Sequence, residues 1–133
     1  MQTFLPYRSF MKSALTLDYR RLGKQRVEAM QILKAIREGG GWRHHPIVLL
    51  WTDYTDALCE YYNCMVIEWR RRGYVNTMPL LELPRRLIAR PHWLNDDFIR
   101  AHRSNLLRKD PTYYGQFDWG VPSDLPYIWS DSL

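Results

Sequence analysis

The sequence predicts an all-α fold, a compact single-domain bundle of three main helices with short helices and an aromatic-rich C-terminal loop. Apolar residues recur at helical spacing over three long segments, and capping residues and glycines bound these segments. No alternating pattern typical of a strand persists along the chain. The length of 133 residues suits one domain, which we expect to span residues 1–133.

The first long helix is predicted over residues 18–37, with Asp18 as its N-cap and the glycines at 39–41 as its end. Its apolar positions share one face: Leu22, Ala29, Leu33 and Ile36. Arg26 falls inside this apolar face, and Gln25 lies at its edge. Because burying a lone charge is costly, we expect Arg26 either to form a structural ion pair or to line a pocket.

Two further long helices are predicted over residues 54–72 and 95–109. Thr55 is a candidate cap for the first of them, and Gly73 ends it. Asn95 caps the other, and Pro111 bounds it. Both carry basic side chains in their last turn, where cations stabilise the helix dipole.

The rest of the chain is predicted to form shorter or irregular elements. Short helices are expected over residues 9–15 and 45–52. Residues 75–90 give no clear secondary-structure signal. Residues 113–129 carry many aromatics with glycines and prolines, and we expect an ordered loop that packs on the helices.

The charge distribution indicates either a polyanionic partner or an ordinary solvated surface. The chain has 19 Lys and Arg against 14 Asp and Glu, a formal net charge of +5, together with 6 Trp, 9 Tyr and 4 Phe. Aromatics beside basic side chains can stack on bases while the charges hold phosphates. The candidate DNA contacts are Arg20, Arg21, Lys24, Arg43, Arg103, Ser104, Asn105, Arg108, Lys109, Tyr113 and Tyr114. For Tyr113 and Tyr114, a tyrosine plug at a helix end remains the alternative.

Candidate catalytic residues lie on the first long helix and just after it. Asp18 and Glu28 are the carboxylates at either end of its basic stretch, although Asp18 also suits a purely capping role. Gln25, Arg26 and either His44 or His45 are expected to line a base or sugar pocket. The sequence lacks a phosphate-binding loop, a nucleophile elbow and metal-ligand spacing, so we expect neither a metal nor a cofactor.

No apolar run is long enough to span a membrane or to form a secretory signal, since the longest covers residues 47–51. We therefore expect a cytoplasmic, nucleoid-associated monomer that makes no membrane contact.

Several motifs resemble one family. Residues 18–24 read Asp-Tyr-Arg-Arg-Leu-Gly-Lys, residues 51–74 end in Arg-Arg-Arg-Gly-Tyr, and residues 111–115 read Pro-Thr-Tyr-Tyr-Gly. These segments resemble the pyrimidine-dimer DNA glycosylases, the phage endonuclease V-like proteins. The whole chain resembles a bacterial branch with the blocks RLGKQRVE, GWRHHP and RSNLLRK, here at residues 21–28, 41–46 and 103–109.

The resemblance implies a helical domain that removes a damaged pyrimidine from duplex DNA. In the family, the N-terminal α-amine attacks the sugar C1′ and forms a Schiff base, a glutamate on the first long helix assists, and arginines clamp the phosphates. That glutamate aligns with Arg21 here, and a shifted alignment offers Asp18 or Glu28 instead. Gln2 stands where the family exposes a small residue after removal of the initiator methionine, and Thr3 follows one place later.

These departures leave three hypotheses. The first is a DNA glycosylase that excises a damaged or modified base with the help of a carboxylate and without strand cleavage. The second is a non-catalytic binder of damaged or single-stranded nucleic acid. The third is an enzyme that acts on a free nucleotide or nucleoside in the same pocket.

Overall fold

The computed structural model describes residues 1–129, and these residues form helices and irregular segments without any strand. In chain order the helices are α1 (Phe10–Thr16), α2 (Tyr19–Glu38), α3 (Pro46–Trp51), α4 (Thr55–Arg71), α5 (Asp96–Lys109) and α6 (Pro111–Tyr114), and a single 3-10 turn follows at Gly115–Phe117. The predicted all-α fold is confirmed. The three long helices are α2, α4 and α5, the two predicted short helices are α1 and α3, and α6 is an additional helix of four residues.

The helix ends follow local chemistry. Asp18 caps α2 by accepting a hydrogen bond from the Arg21 backbone N–H, and Asn95 caps α5 in the same way through Phe98. Helix α2 stops at Gly39, whose φ of +78° suits glycine. The predicted cap at Thr55 is wrong, because the chain is already helical there. The capping position falls on Tyr54, which makes no side-chain capping bond.

Helices α2 and α4 pack against each other, and α1 packs on α4. The largest fully buried side chains are aromatic and come from several segments: Trp51, Trp93, Tyr61, Tyr62, Tyr114, Phe10 and Phe98. The N-terminal segment joins this core, because Thr3, Phe4 and Leu5 are all buried. Residues at the start of the chain therefore lie against α2 and α4, where the candidate site forms.

Two irregular segments are held by specific bonds. Residues 75–90 contain no helix or strand, but Asn63 on α4 both donates to and accepts from the Leu81 backbone, each at 2.8 Å. The tail prediction is confirmed in part. Its first residues form α6 and the 3-10 turn instead of a loop, because Pro111 starts a helix and Asp110 caps it.

No helix within residues 1–129 is both long enough and apolar enough to cross a bilayer.

Candidate active site

A cavity of about 910 Å³ opens between the N-terminal segment, α2 and the C-terminal part of the chain. The N-terminal segment contributes Met1, Gln2 and Phe4, and the residue before α3 contributes His45. Helix α2 contributes Arg20, Arg21, Lys24, Gln25 and Glu28. The C-terminal part contributes Lys109, Tyr127 and Trp129.

Gln25 holds the N-terminal segment in place. Its side chain is only 1% exposed, and its amide is fully used. The Oε1 atom accepts from the Phe4 backbone N–H at 3.0 Å and from the Tyr61 hydroxyl. The Nε2 atom donates to the Gln2 carbonyl at 2.9 Å and to Glu28 Oε2 at 3.2 Å. This one amide therefore fixes both the start of the chain and the Glu28 carboxylate.

Glu28 is the carboxylate of this cavity. It is half-buried, one helical turn after Lys24, and its Oε2 accepts from the Gln2 backbone N–H at 3.2 Å. Within residues 1–129, Oε1 accepts no hydrogen bond, and no cation pairs with the carboxylate. One oxygen of Glu28 is thus oriented by the protein, and the other is available to a bound molecule.

Asp18 is used differently. It caps α2, pairs with the Arg21 guanidinium at 3.1 Å and accepts from the Tyr114 hydroxyl. Burial opposes its ionisation, but the hydrogen bonds from Tyr114 and Arg21 outweigh this effect and lower the pKa of Asp18. It is absent from the cavity lining. These contacts favour the capping alternative and correct the expectation that Asp18 serves as a pocket carboxylate.

Arg26 does not reach the cavity, which corrects the expectation that it lines the pocket. Its guanidinium lies over the Trp69 ring, 4.2 Å from the centroid, and donates to Asn76 Oδ1 at 2.6 Å. A cation on the apolar face of α2 is thus accommodated by an aromatic face and an amide rather than by a carboxylate.

The two adjacent histidines have different positions. His45 lines the cavity, and its Nδ1 accepts from the Ile47 backbone N–H at 3.1 Å, which caps α3. Burial and the nearby N-terminal charge lower the pKa of His45, so the imidazole is neutral at pH 7. His44 is exposed beside Arg43 and does not line the cavity, and neither does Arg43.

Four of the predicted phosphate contacts do come together at the cavity: Arg20, Arg21, Lys24 and Lys109. Arg20, Lys24 and Lys109 are exposed, whereas Arg21 is half-buried through its bond to Asp18. With Glu28 as the opposing charge, the lining carries a clear positive excess. This is the electrostatic setting that attracts a polyanion.

The polar face predicted on α5 is instead covered by the returning tail. Ser104 and Asn105 are fully buried. Ser104 Oγ accepts from the Leu125 backbone N–H, and Asn105 donates to the Leu125 carbonyl. Arg108 also donates to the Ser123 carbonyl at 3.1 Å. The expectation that Ser104 and Asn105 contact DNA is corrected, because both are buried and bonded within this chain, whereas Arg108 is exposed and remains a predicted DNA contact.

Arg103 and the tyrosine pair also have structural roles. Arg103 donates to the Pro6 carbonyl at 2.7 Å and lies over the Tyr7 ring. Tyr113 donates to the Thr16 carbonyl at 3.0 Å, and Tyr114 is fully buried. These contacts favour the plug alternative, and the expectation that Tyr114 stacks on bases is corrected because its ring is buried, whereas stacking by the half-buried Tyr113 stays a prediction.

Five lining residues were not predicted as site residues: Met1, Gln2, Phe4, Tyr127 and Trp129. The apolar character of Phe4 and Leu5 was the available signal that the N-terminus packs into the core. Tyr127 and Trp129 lie in a segment without periodicity, so no pattern marked them. Among residues 1–129, no group of three or more His, Cys, Asp or Glu side chains is placed to hold a metal ion.

The chain is thus an all-α protein with a cationic cavity around one carboxylate, and the charge of this cavity suits a polyanionic substrate. The family model described as pyrimidine dimer DNA glycosylase matches residues 1–82, which include helices α1 to α4 and Glu28. The chain therefore belongs to the pyrimidine dimer DNA glycosylase family, and this membership supports a glycosylase-like function on DNA. Searches of curated proteins and of solved structures found no match.

Proposed function

We propose that the protein is a DNA glycosylase that excises a damaged or modified pyrimidine base, with Glu28 as its catalytic carboxylate. One observation carries the proposal: Glu28 Oε2 lies 3.2 Å from the Gln2 backbone nitrogen, inside the cationic cavity. In the family that the chain resembles, a glutamate on the first long helix assists at the start of the chain, and Glu28 is the carboxylate on α2 that contacts this segment. This contact supports Glu28, rather than Arg21 or Asp18, as the counterpart of the family's glutamate.

The chemistry that suits Glu28 is cleavage of the bond between C1′ and the base nitrogen. As this bond breaks, positive charge develops on the sugar, and a nearby carboxylate stabilises it. Water attacks C1′ and gives a proton to Glu28 Oε1. The base leaves with the bonding electron pair and takes up a proton. The products are the free base and an abasic sugar.

The remaining lining residues suit substrate binding. The exposed cations Arg20, Lys24 and Lys109 line the cavity, which supports a role for them in contacting the phosphates of the bound strand. A cavity of about 910 Å³ has room for an extruded pyrimidine. Tyr127 and Trp129, both partly buried, offer ring surfaces for the base.

The nucleophile is water or the chain's own α-amine. Met1 lines the cavity, and the N-terminal charge contributes to lowering the pKa of His45, so the amine lies on the same side as Glu28. With Met1 in place, the amine is one residue beyond the Gln2 nitrogen that bonds to Glu28. We propose water as the nucleophile, since that amine is not the group that Glu28 orients.

Base release from duplexes carrying ultraviolet photoproducts, deaminated bases or modified pyrimidines tests the proposal, with borohydride present to trap an imine. We expect base release without a trapped adduct. A trapped adduct would show that the nucleophile is the α-amine rather than water. Glu28→Gln should lower turnover by at least ~100-fold with DNA affinity nearly unchanged. The control is Glu38→Gln, an exposed carboxylate on the same helix, which should behave as wild type.

Two outcomes would overturn the proposal. Tight binding to damaged duplex without release of any base would identify a non-catalytic binder. Cleavage of free nucleosides or nucleotides in preference to duplex, with little dependence of affinity on salt, would identify an enzyme of small substrates.

A further inference from the structure

The segment between α2 and α3 carries an aromatic side chain with no core partner. All six tryptophans lie within residues 1–129, and five of them are buried in the core or packed on it. Trp42 is the exception, because its side chain is 56% exposed. Trp42 thus places a large aromatic ring in water close to the cationic cavity.

The backbone around Trp42 is ordered by its own turns. Gly39 and Gly40 adopt φ of +78° and +106°, and no atom lies within 4 Å of a Cβ built on Gly40 or Gly41. The Arg43 N–H donates to the Gly40 carbonyl at 3.3 Å, and the His45 N–H donates to the Trp42 carbonyl at 2.9 Å. The segment is therefore an ordered turn that exposes the Trp42 side chain to solvent.

Trp42 stands directly beside the cavity. Its ring centroid lies 5.7 Å from that of His45, and His45 lines the cavity with Glu28. The next residue, Arg43, is exposed and cationic. An aromatic face flanked by positive charge, next to a cavity large enough for a base, fits the gap left in a DNA duplex by an extruded nucleotide, where bases and phosphates lie side by side.

We propose that Trp42 is a stacking wedge that fills the gap left in the duplex when the target nucleotide enters the cavity. This inference rests on the proposed glycosylase function and names a positioning residue for it. Extruding a nucleotide removes two stacking contacts, and an aromatic side chain in the gap restores part of that loss. Trp42 is not among the residues that line the cavity with Glu28, so its effect lies in holding the opened duplex.

The test compares two duplexes of one sequence, one intact and one carrying a tetrahydrofuran abasic analogue, which contains the gap but no base to release. Anisotropy at fixed salt measures affinity, and a fluorescent adenine analogue opposite the gap reports stacking. Trp42→Ala should weaken binding to the gapped duplex by about 10-fold and to the intact duplex by less than about twofold. It should also abolish the fluorescence change.

Two further variants make the result specific. Trp42→Phe retains a ring and should keep most of the preference for the gapped duplex. Leu87→Ala removes a side chain that is 96% exposed elsewhere and should match wild type. Thermal unfolding of each variant by circular dichroism shows that the fold persists.

The inference is overturned if Trp42→Ala binds both duplexes as wild type does, or if it loses affinity equally for both. Base release by wild type is measured in parallel and separates the two proposals. If Trp42→Ala releases base as fast as wild type, the wedge role is refuted and the glycosylase function stands. If binding prefers the gapped duplex only when Trp42 is present, but no damaged duplex releases a base, the stacking role stands and the glycosylase function is refuted.

Discussion

Replacing Gln25 with leucine should separate the N-terminal segment from α2 while preserving side-chain volume. The substitution removes four hydrogen bonds at a buried position. The Tyr61 hydroxyl keeps its bond to the Phe4 carbonyl at 2.9 Å, and the part-buried Gln2 carbonyl can reach water. The Phe4 N–H is left buried without an acceptor.

An unsatisfied buried donor costs about 1–3 kcal/mol, and the loss of the other bonds adds about 1 kcal/mol. We therefore expect Gln25→Leu to lower the free energy of unfolding by about 2–4 kcal/mol, measured by urea titration. Gln31→Leu is the matched control, because Gln31 lies exposed on the same helix. It should change stability by less than about 0.5 kcal/mol. Equal stability of Gln25→Leu and wild type would refute the anchoring role.

A second substitution at the same position tests the link to Glu28. Gln25→Glu keeps the Oε1 acceptor but replaces the donor that lies 3.2 Å from Glu28 Oε2 with another carboxyl oxygen. Two carboxylates this close share a proton, which raises the apparent pKa of the pair. Base release should consequently fall more at pH 6 than at pH 8. A rate profile parallel to that of wild type would contradict this account of how Glu28 is positioned.

Three other perturbations follow from the structure. Burial lowers the pKa of His102 to about 3 from an ordinary value of 6.5, so only the unfolded chain binds this proton between those values. The free energy of unfolding should then be highest above pH 6.5 and about 2 kcal/mol lower at pH 5. His102→Asn should remove this difference when urea titrations above pH 6.5 and at pH 5 are compared. A Cβ at Gly23 would lie 3.0 Å from Trp69 Cζ3. Gly23→Ala should therefore destabilise the fold by about 1 kcal/mol, although alanine has the better helix propensity. A gain in thermal stability would contradict this expectation. Replacing both Lys24 and Lys109 with glutamine should reduce the slope of log affinity against log salt by about 1.8, and an unchanged slope would show that neither contacts phosphate.

Helix positions were predictable because local signals specify them. The caps at Asp18 and Asn95 and the stops at the glycines after α2 and α4 act within a few residues. The error at Thr55 arose because an acceptable capping residue can equally start a helix. Residues 75–90 gave no signal, since their positions are held by bonds from Asn63 and Tyr62 on α4.

The candidate site was harder to predict, because a polar side chain reveals its chemistry but not its neighbour. Ser104, Asn105 and Arg108 have the composition of a phosphate-binding face, yet residues 123–125 return across that face and satisfy them. Nothing local in α5 signals that return. Arg26 presents the same difficulty, since its partners Trp69 and Asn76 lie far along the chain.

One periodic signal did point to the cavity. Arg21, Lys24, Gln25 and Glu28 stand at i, i+3, i+4 and i+7 on α2, the spacing that normally marks a core stripe. A polar face with this spacing, next to the apolar face of the same helix, must lie against either solvent or another segment of the chain. In this protein the N-terminal residues pack against it. Because Gln25 in the middle of the stripe is buried, the cations and Glu28 on either side of it cannot rotate away from the start of the chain. A shift of α2 by one residue would turn its side chains by about 100°, which would expose the buried apolar face and separate Glu28 from the Gln2 nitrogen, so the fold and the site depend on the same register of this helix.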